Sequence, residues 1–142
     1  MYVEKRLELL KVGASAPDDV AVADVAGYSY LVLSPCSVDK LLVSVTTVIA
    51  GGGTSTVELK RRPTFGSAVG EVVLASMDLD GAAGVAVGQT LQKTFKSVKL
   101  AVGDELVFEV AANGATGNAL YGVECDNCPE EPGNNSELSE QP

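Results

Sequence analysis

The stretch Leu41-Leu-Val-Ser-Val-Thr-Thr-Val-Ile-Ala50, followed by Gly51-Gly52-Gly53 and Thr54-Ser-Thr-Val-Glu-Leu-Lys-Arg-Arg62, decides the fold class. Val, Ile and Thr crowd both arms. Branching at Cβ stiffens χ1 and suits these side chains to a pleated surface better than to a helix. Leu41, Val43, Val45 and Ile49 share one face, and Ser44 and Thr46 lie on the other. Three glycines supply the positive φ angles that a reversal needs, so the stretch reads as a β-hairpin. No catalytic motif is written on it.

Outward from this point, the pattern repeats in short segments. Tyr28 to Ser34 ends at Pro35, Val69 to Leu79 closes at Asp80-Gly81, and Thr90 to Lys99 alternates weakly. Glu105 to Ala111 has the clearest period of two, with Leu106, Phe108 and Val110 inward and Glu105, Val107 and Glu109 outward. Asn113 to Asn118 reads as a glycine-rich turn before a last strand, Ala119 to Cys125. Val69-Gly70-Glu71, Val87-Gly88-Gln89 and Val102-Gly103-Asp104 are turn punctuation ahead of strands rather than a repeat. Seven to eight short strands predict an all-β, antiparallel β-sandwich or jelly roll, because stacked or closed sheets hide their edges.

Both ends differ from the body. In residues 1–12, Val3, Leu7 and Leu10 fall at helical spacing, and a strand reading alternates less cleanly, so this segment reads as an N-terminal arm outside the main sheet. Ala14 to Gly27 is loop-like. The sandwich is expected over 13–125. Residues 126–142 are Pro, Glu, Asn, Ser and Gly with one Leu, too little apolar surface to offset ordering entropy, which predicts a flexible acidic tail.

The chain has 142 residues, enough for one core without disulfide or metal staples. Its 19 acidic and 10 basic residues give a net charge of -9, and five of the acids lie in 126–142, where no Lys or Arg occurs. Such a balance repels phosphate backbones, so nucleic acid is not an expected partner. There is no histidine, which removes Ser-His-Asp and Cys-His nucleophiles, His-ligated zinc and imidazole acid/base chemistry. The charged residues of 1–12 do not make a signal peptide, and the apolar run 41–50 is too short to span a bilayer. A soluble protein without a membrane partner is expected.

Each candidate site has a plainer reading. Cys125-Asp126-Asn127-Cys128 has zinc or redox spacing, but only Cys36 remains as a further thiol, so incidental thiols are the better reading. Gly51 to Thr54 lacks a phosphate-loop lysine and precedes a strand. Lys60-Arg61-Arg62 alternates between faces and reads as a charged sheet edge that discourages aggregation. Asp18, Asp19, Asp24, Asp78 and Asp80 do not match a calcium loop, and Asn134-Asn135-Ser136 fits the glycosylation triplet without further context. No cofactor or metal is expected, and the chain is not read as an enzyme.

Leu41 to Ala50, Gly51 to Gly53, Thr56-Val-Glu-Leu-Lys-Arg-Arg62 and Leu100-Ala-Val-Gly-Asp-Glu-Leu-Val-Phe-Glu-Val110 together resemble the small jelly-roll cement, or decoration, proteins of tailed bacteriophage capsids, over roughly residues 28–125. The acidic, Cys-containing C-terminus departs from that pattern. The resemblance implies a non-enzymatic virion protein, present in the host cytoplasm before assembly, that binds the capsid exterior. It would cement neighbouring major capsid protein subunits and meet its own copies as a dimer or trimer at symmetry axes. The expected contact residues are Tyr2, Val3, Leu7, Leu9 and Leu10, an apolar stripe with no evident home in a small sandwich. The alternative is a carbohydrate-binding β-sandwich module. Its usual stacking aromatics are scarce here, with four Tyr, three Phe and no Trp.

Overall fold

A computed structural model describes the backbone of residues 5–8 and 18–127, and the side chains of 18–23 and 29–124. The described residues form two antiparallel sheets with no helix. The larger runs β1 (Lys5–Glu8), β9 (Ala115–Asn127), β4 (Cys36–Gly51), β7 (Thr90–Leu100), with the two-residue β2 (Asp18–Asp19) also on β9. The smaller runs β3 (Asp24–Leu31), β8 (Glu105–Ala111), β5 (Thr54–Arg62), β6 (Val72–Asp80). Leaving β2 aside, the order 1-9-4-7 over 3-8-5-6 is that of an eight-stranded jelly roll. The expected fold class is therefore observed.

The opening stretch is a correction. Its arms do not pair: β4 bonds to β9 and β7, whereas β5 bonds to β8 and β6 in the opposite sheet. Gly51 to Gly53 is a corner between sheets. Gly51 takes φ +93°, and at Gly53 the backbone runs so close to β8's end that an added Cβ would lie 1.8 Å from the Asn113 carbonyl oxygen. Thr54 N–H donates to that same oxygen at 2.9 Å, and Gly81 N–H donates to Gly53 O at 2.7 Å. The glycines thus permit backbone contact between two crossing connections.

The face assignment holds, because Leu41, Val43, Val45 and Ile49 are all buried and meet Val57, Leu59, Leu106, Phe108 and Val110 of the smaller sheet in one core. Phe108 and Tyr121 join the sheets at a ring separation of 5.7 Å, and the Tyr121 hydroxyl donates to Asp18 Oδ2 at 2.7 Å. Ser55, fully buried, donates to Val20 O at 2.7 Å and so satisfies its hydroxyl inside the core.

Other boundaries move. The strand expected at Tyr28 begins at Asp24, the one expected at Val69 begins at Val72, and β9 begins at Ala115, inside the expected turn. The arm is only partly outside the sheet, since Lys5–Glu8 pairs with Val123 to Asp126 as an edge strand. β9 extends to Asn127, so Asp126 and Asn127 are in the sandwich rather than the tail. Tyr2, Val3, Leu9, Leu10, residues 128–142 and the triplet Asn134-Asn135-Ser136 lie outside the described residues. Of the expected contact residues only Leu7 is placed, by its backbone, opposite Glu124.

Candidate functional site: a charged face and a lysine edge

β5 is a central strand, so the edge reading of Lys60-Arg61-Arg62 is corrected. Alternation does separate the three. Val57 and Leu59 point into the core, which turns Glu58, Lys60 and Arg62 outward. Lys60 Nζ bonds to Glu109 and stands 3.5 Å from Glu71 and 3.6 Å from Glu58. Arg62 Nε donates to Glu71 at 2.7 Å, with Glu105 3.7 Å from its Nη1. Glu105 also accepts from Gly66 N–H at 3.0 Å, so the loop between β5 and β6 folds over this end. Arg61, on the opposite side, donates to Asp104 at 3.0 Å. Glu105 and Val107, expected to face solvent, are buried on this outer face. Flanking long side chains and the folded loop cover more of a sheet than alternation alone implies.

Two cations thus hold four carboxylates. The hydrogen bond from Arg62 holds the Glu71 carboxyl below its ordinary range, with Lys60 adding to it and burial opposing. Lys60 is raised, first by its hydrogen bond to Glu109, and Arg62 is raised, first by Glu71. A lowered carboxyl stabilises the fold above its unfolded pKa and loses that contribution as pH falls through its folded value. The raised cations contribute fully below their unfolded pKa values and lose it as pH rises through the folded ones. Lys60→Met should therefore cost about 2 kcal/mol at neutral pH, because it leaves half-buried carboxylates uncompensated. The deficit should shrink as pH falls far enough to protonate Glu71, whose carboxyl is held below its ordinary range. Urea midpoints measured across pH check this; an equal deficit at every pH would contradict it.

The network pairs its cations internally and has no histidine or nucleophile in it. The charged group that is not paired in this way is on β7. Lys93, Lys96 and Lys99 are exposed on this free edge of the larger sheet, and none pairs with a carboxylate among the described residues. No Asp or Glu occurs from Gly81 to Gly103. The interleaving of sheets makes β7 an edge, a signal absent from the local sequence.

The candidate acids do not assemble. Asp19 and Asp80 cap their own turns, accepting from Ala21 N–H and from Ala82 and Ala83 N–H, while Asp78 accepts from Thr56. Among the described residues no group of three His, Cys, Asp or Glu could hold a metal ion. No helix among the described residues is long and apolar enough to cross a membrane. Two of the cysteines, Cys36 and Cys125, lie on paired strands: Val38 is opposite Cys125, and Cys36 is opposite Asn127.

No protein-family model and no curated protein matches this chain. Among solved structures, it is similar to a carbohydrate-binding module from Cellvibrio mixtus lichenase 5A in complex with cellotriose. The identity is 16%, over 89% of this chain and 88% of that one, with a TM-score of 0.39.

Proposed function

We propose that this protein is a non-enzymatic structural component that attaches to the outside of a phage capsid and bridges neighbouring major capsid protein subunits. The observation that carries the reading is the β7 edge: strand backbone with no further strand beside it among the described residues, flanked by three exposed lysines on a chain that is otherwise acidic. An open edge is a template for a partner's backbone, and like charge deters a second copy of the same edge, which leaves an acidic partner segment as the matching surface. Exposed Leu33 and Val102, on adjoining loops joined by the Gly103 N–H to Val32 O bond, add apolar area. Tyr2, Val3, Leu7, Leu9 and Leu10 remain proposed contacts, with Leu7 acting from within an edge strand rather than a detached arm. Many modest contacts per copy, multiplied over a shell, would add up through multivalency.

A second reading, a carbohydrate-binding module, is favoured by Phe65. This ring is half exposed on the loop whose Gly66 N–H contacts Glu105, a carboxylate 3.7 Å from Arg62 Nη1. A ring next to polar side chains is the usual means of holding a sugar. Co-sedimentation with expanded capsids, run beside polysaccharide pull-down, separates the two. Capsid binding without glycan retention is expected. Retention on a polysaccharide that Phe65→Ala abolishes, with no capsid binding, would replace the first reading with the second.

A further inference from the structure

Asn113-Gly114, in the turn between β8 and β9, is the one Asn-Gly pair in the chain. The fold demands the glycine. Gly114 takes φ +92°, a conformation that L side chains rarely adopt, and its backbone lies against the sheet-crossing corner, where Gly53 permits the approach. The asparagine is not demanded in the same way. Asn113 and Gly114 are both exposed, and among the described residues no hydrogen bond engages the Asn113 side-chain amide or the Gly114 N–H. The Asn113 main-chain carbonyl, by contrast, is held by Thr54 N–H at 2.9 Å.

A side-chain amide with no hydrogen bond, next to a glycine nitrogen, is a reactive pair. With no Cβ on Gly114 to obstruct it, that nitrogen can reach Asn113 Cγ once the side chain turns toward it. Asp80-Gly81 is the chain's one Asp-Gly pair, and a carboxyl before glycine can close the same ring. There the fold prevents it. Gly81 is buried and its N–H donates to Gly53 O at 2.7 Å, while Asp80 Oδ1 accepts from Ala82 N–H at 3.0 Å and Ala83 N–H at 3.2 Å. Both pairs touch the Gly53 corner, one with its reacting groups engaged and the other with them open.

We propose that Asn113 is a site of spontaneous deamidation, with water as the co-reactant and no oxidation or reduction. The Gly114 nitrogen loses its proton and bonds to Asn113 Cγ, and the Cγ–N bond of the side-chain amide breaks as ammonia leaves. Water then opens the cyclic imide. Cleavage at Cγ leaves aspartate in an unaltered main chain. Cleavage at the original carbonyl carbon leaves isoaspartate: the main chain now runs through Cβ and Cγ, one atom longer, and the carbonyl that Thr54 N–H holds becomes a free carboxylate. This second product alters a corner where a Cβ on Gly53 would stand 1.8 Å from that oxygen, so it loosens the crossing between sheets. Either product adds a negative charge to an already acidic chain. The proposal stands whether or not the capsid reading does.

The test is incubation of the folded full-length protein at mildly alkaline pH, which favours loss of the Gly114 amide proton, beside the same protein unfolded in guanidinium. Isoelectric focusing and peptide mapping by mass spectrometry follow each site. In the folded protein Asn113 should become an acid, split between aspartate and isoaspartate, and the isoaspartate fraction should melt below the unreacted protein. Asp80 should isomerise in the unfolded sample alone. Asn113→Gln should abolish the acidic band that arises at this position, and Asn113→Asp should melt with the unreacted protein, because the side chain is exposed and its main chain is unaltered. An Asn113 that stays an amide in the folded protein, whether or not the unfolded sample reacts, would overturn the proposal. Isomerisation of Asp80 as fast in the folded protein as in the unfolded one would also overturn it, since hydrogen bonding at the corner would then not control the chemistry.

Discussion

Gly53→Ala should destabilise the protein by about 3 kcal/mol, whereas Gly52→Ala one residue earlier should fall within about 0.5 kcal/mol of wild type. The two glycines look equivalent in the sequence. A Cβ on Gly52 meets nothing within 4 Å, but one on Gly53 would sit 1.8 Å from the Asn113 carbonyl oxygen. That oxygen cannot retreat freely, because Thr54 N–H bonds to it and Gly81 N–H bonds to Gly53 O. Relief therefore means opening the corner where the chain passes between sheets. Urea midpoints at unchanged m-value give the comparison. Equal stability of the two variants would mean that the corner is not closely packed.

That corner also explains what the sequence could and could not reveal. Period-two alternation is a local property, so it identified the buried face of Leu41, Val43, Val45 and Ile49 and the inward set Leu106, Phe108 and Val110. Pairing is not local in a jelly roll. Among the described strands, β5 and β6 are the one pair adjacent in sequence that also bond to each other, so a glycine-rich break between strands marked a sheet crossing rather than a hairpin. The same non-locality hid the central position of Lys60 to Arg62, the edge position of β7 and the approach of Cys36 to Cys125. The start of β3 was illegible for another reason: Asp24, Ala26 and Gly27 carry little strand propensity, and β8 supplies the pairing at Asp24 and Val25 before the register shifts.

Phe108→Ala should cost about 3–5 kcal/mol, the range for removing a buried aromatic ring. Phe108 is fully buried on the smaller sheet and packs on Tyr121 of the larger, so its loss opens a cavity between the layers. Neighbouring strands cannot collapse into that space without disturbing their pairing. Phe65→Ala is the matched control, an exposed ring whose removal should change stability by no more than about 0.5 kcal/mol. Thermal melts of both variants decide the point, and a mild effect at Phe108 would mean the two sheets are less tightly joined than described.

The capsid reading turns on the lysine edge, and charge reversal there tests it most directly. Lys93, Lys96 and Lys99 are exposed and unpaired among the described residues, so changing all three to Glu should leave the fold intact. At about 1 kcal/mol per exposed charge, co-sedimentation with expanded phage capsids should weaken by about 100-fold. Wild-type binding should itself fall as salt is raised. Undiminished occupancy by the folded triple variant, or no association of wild-type protein with any capsid, would contradict the account.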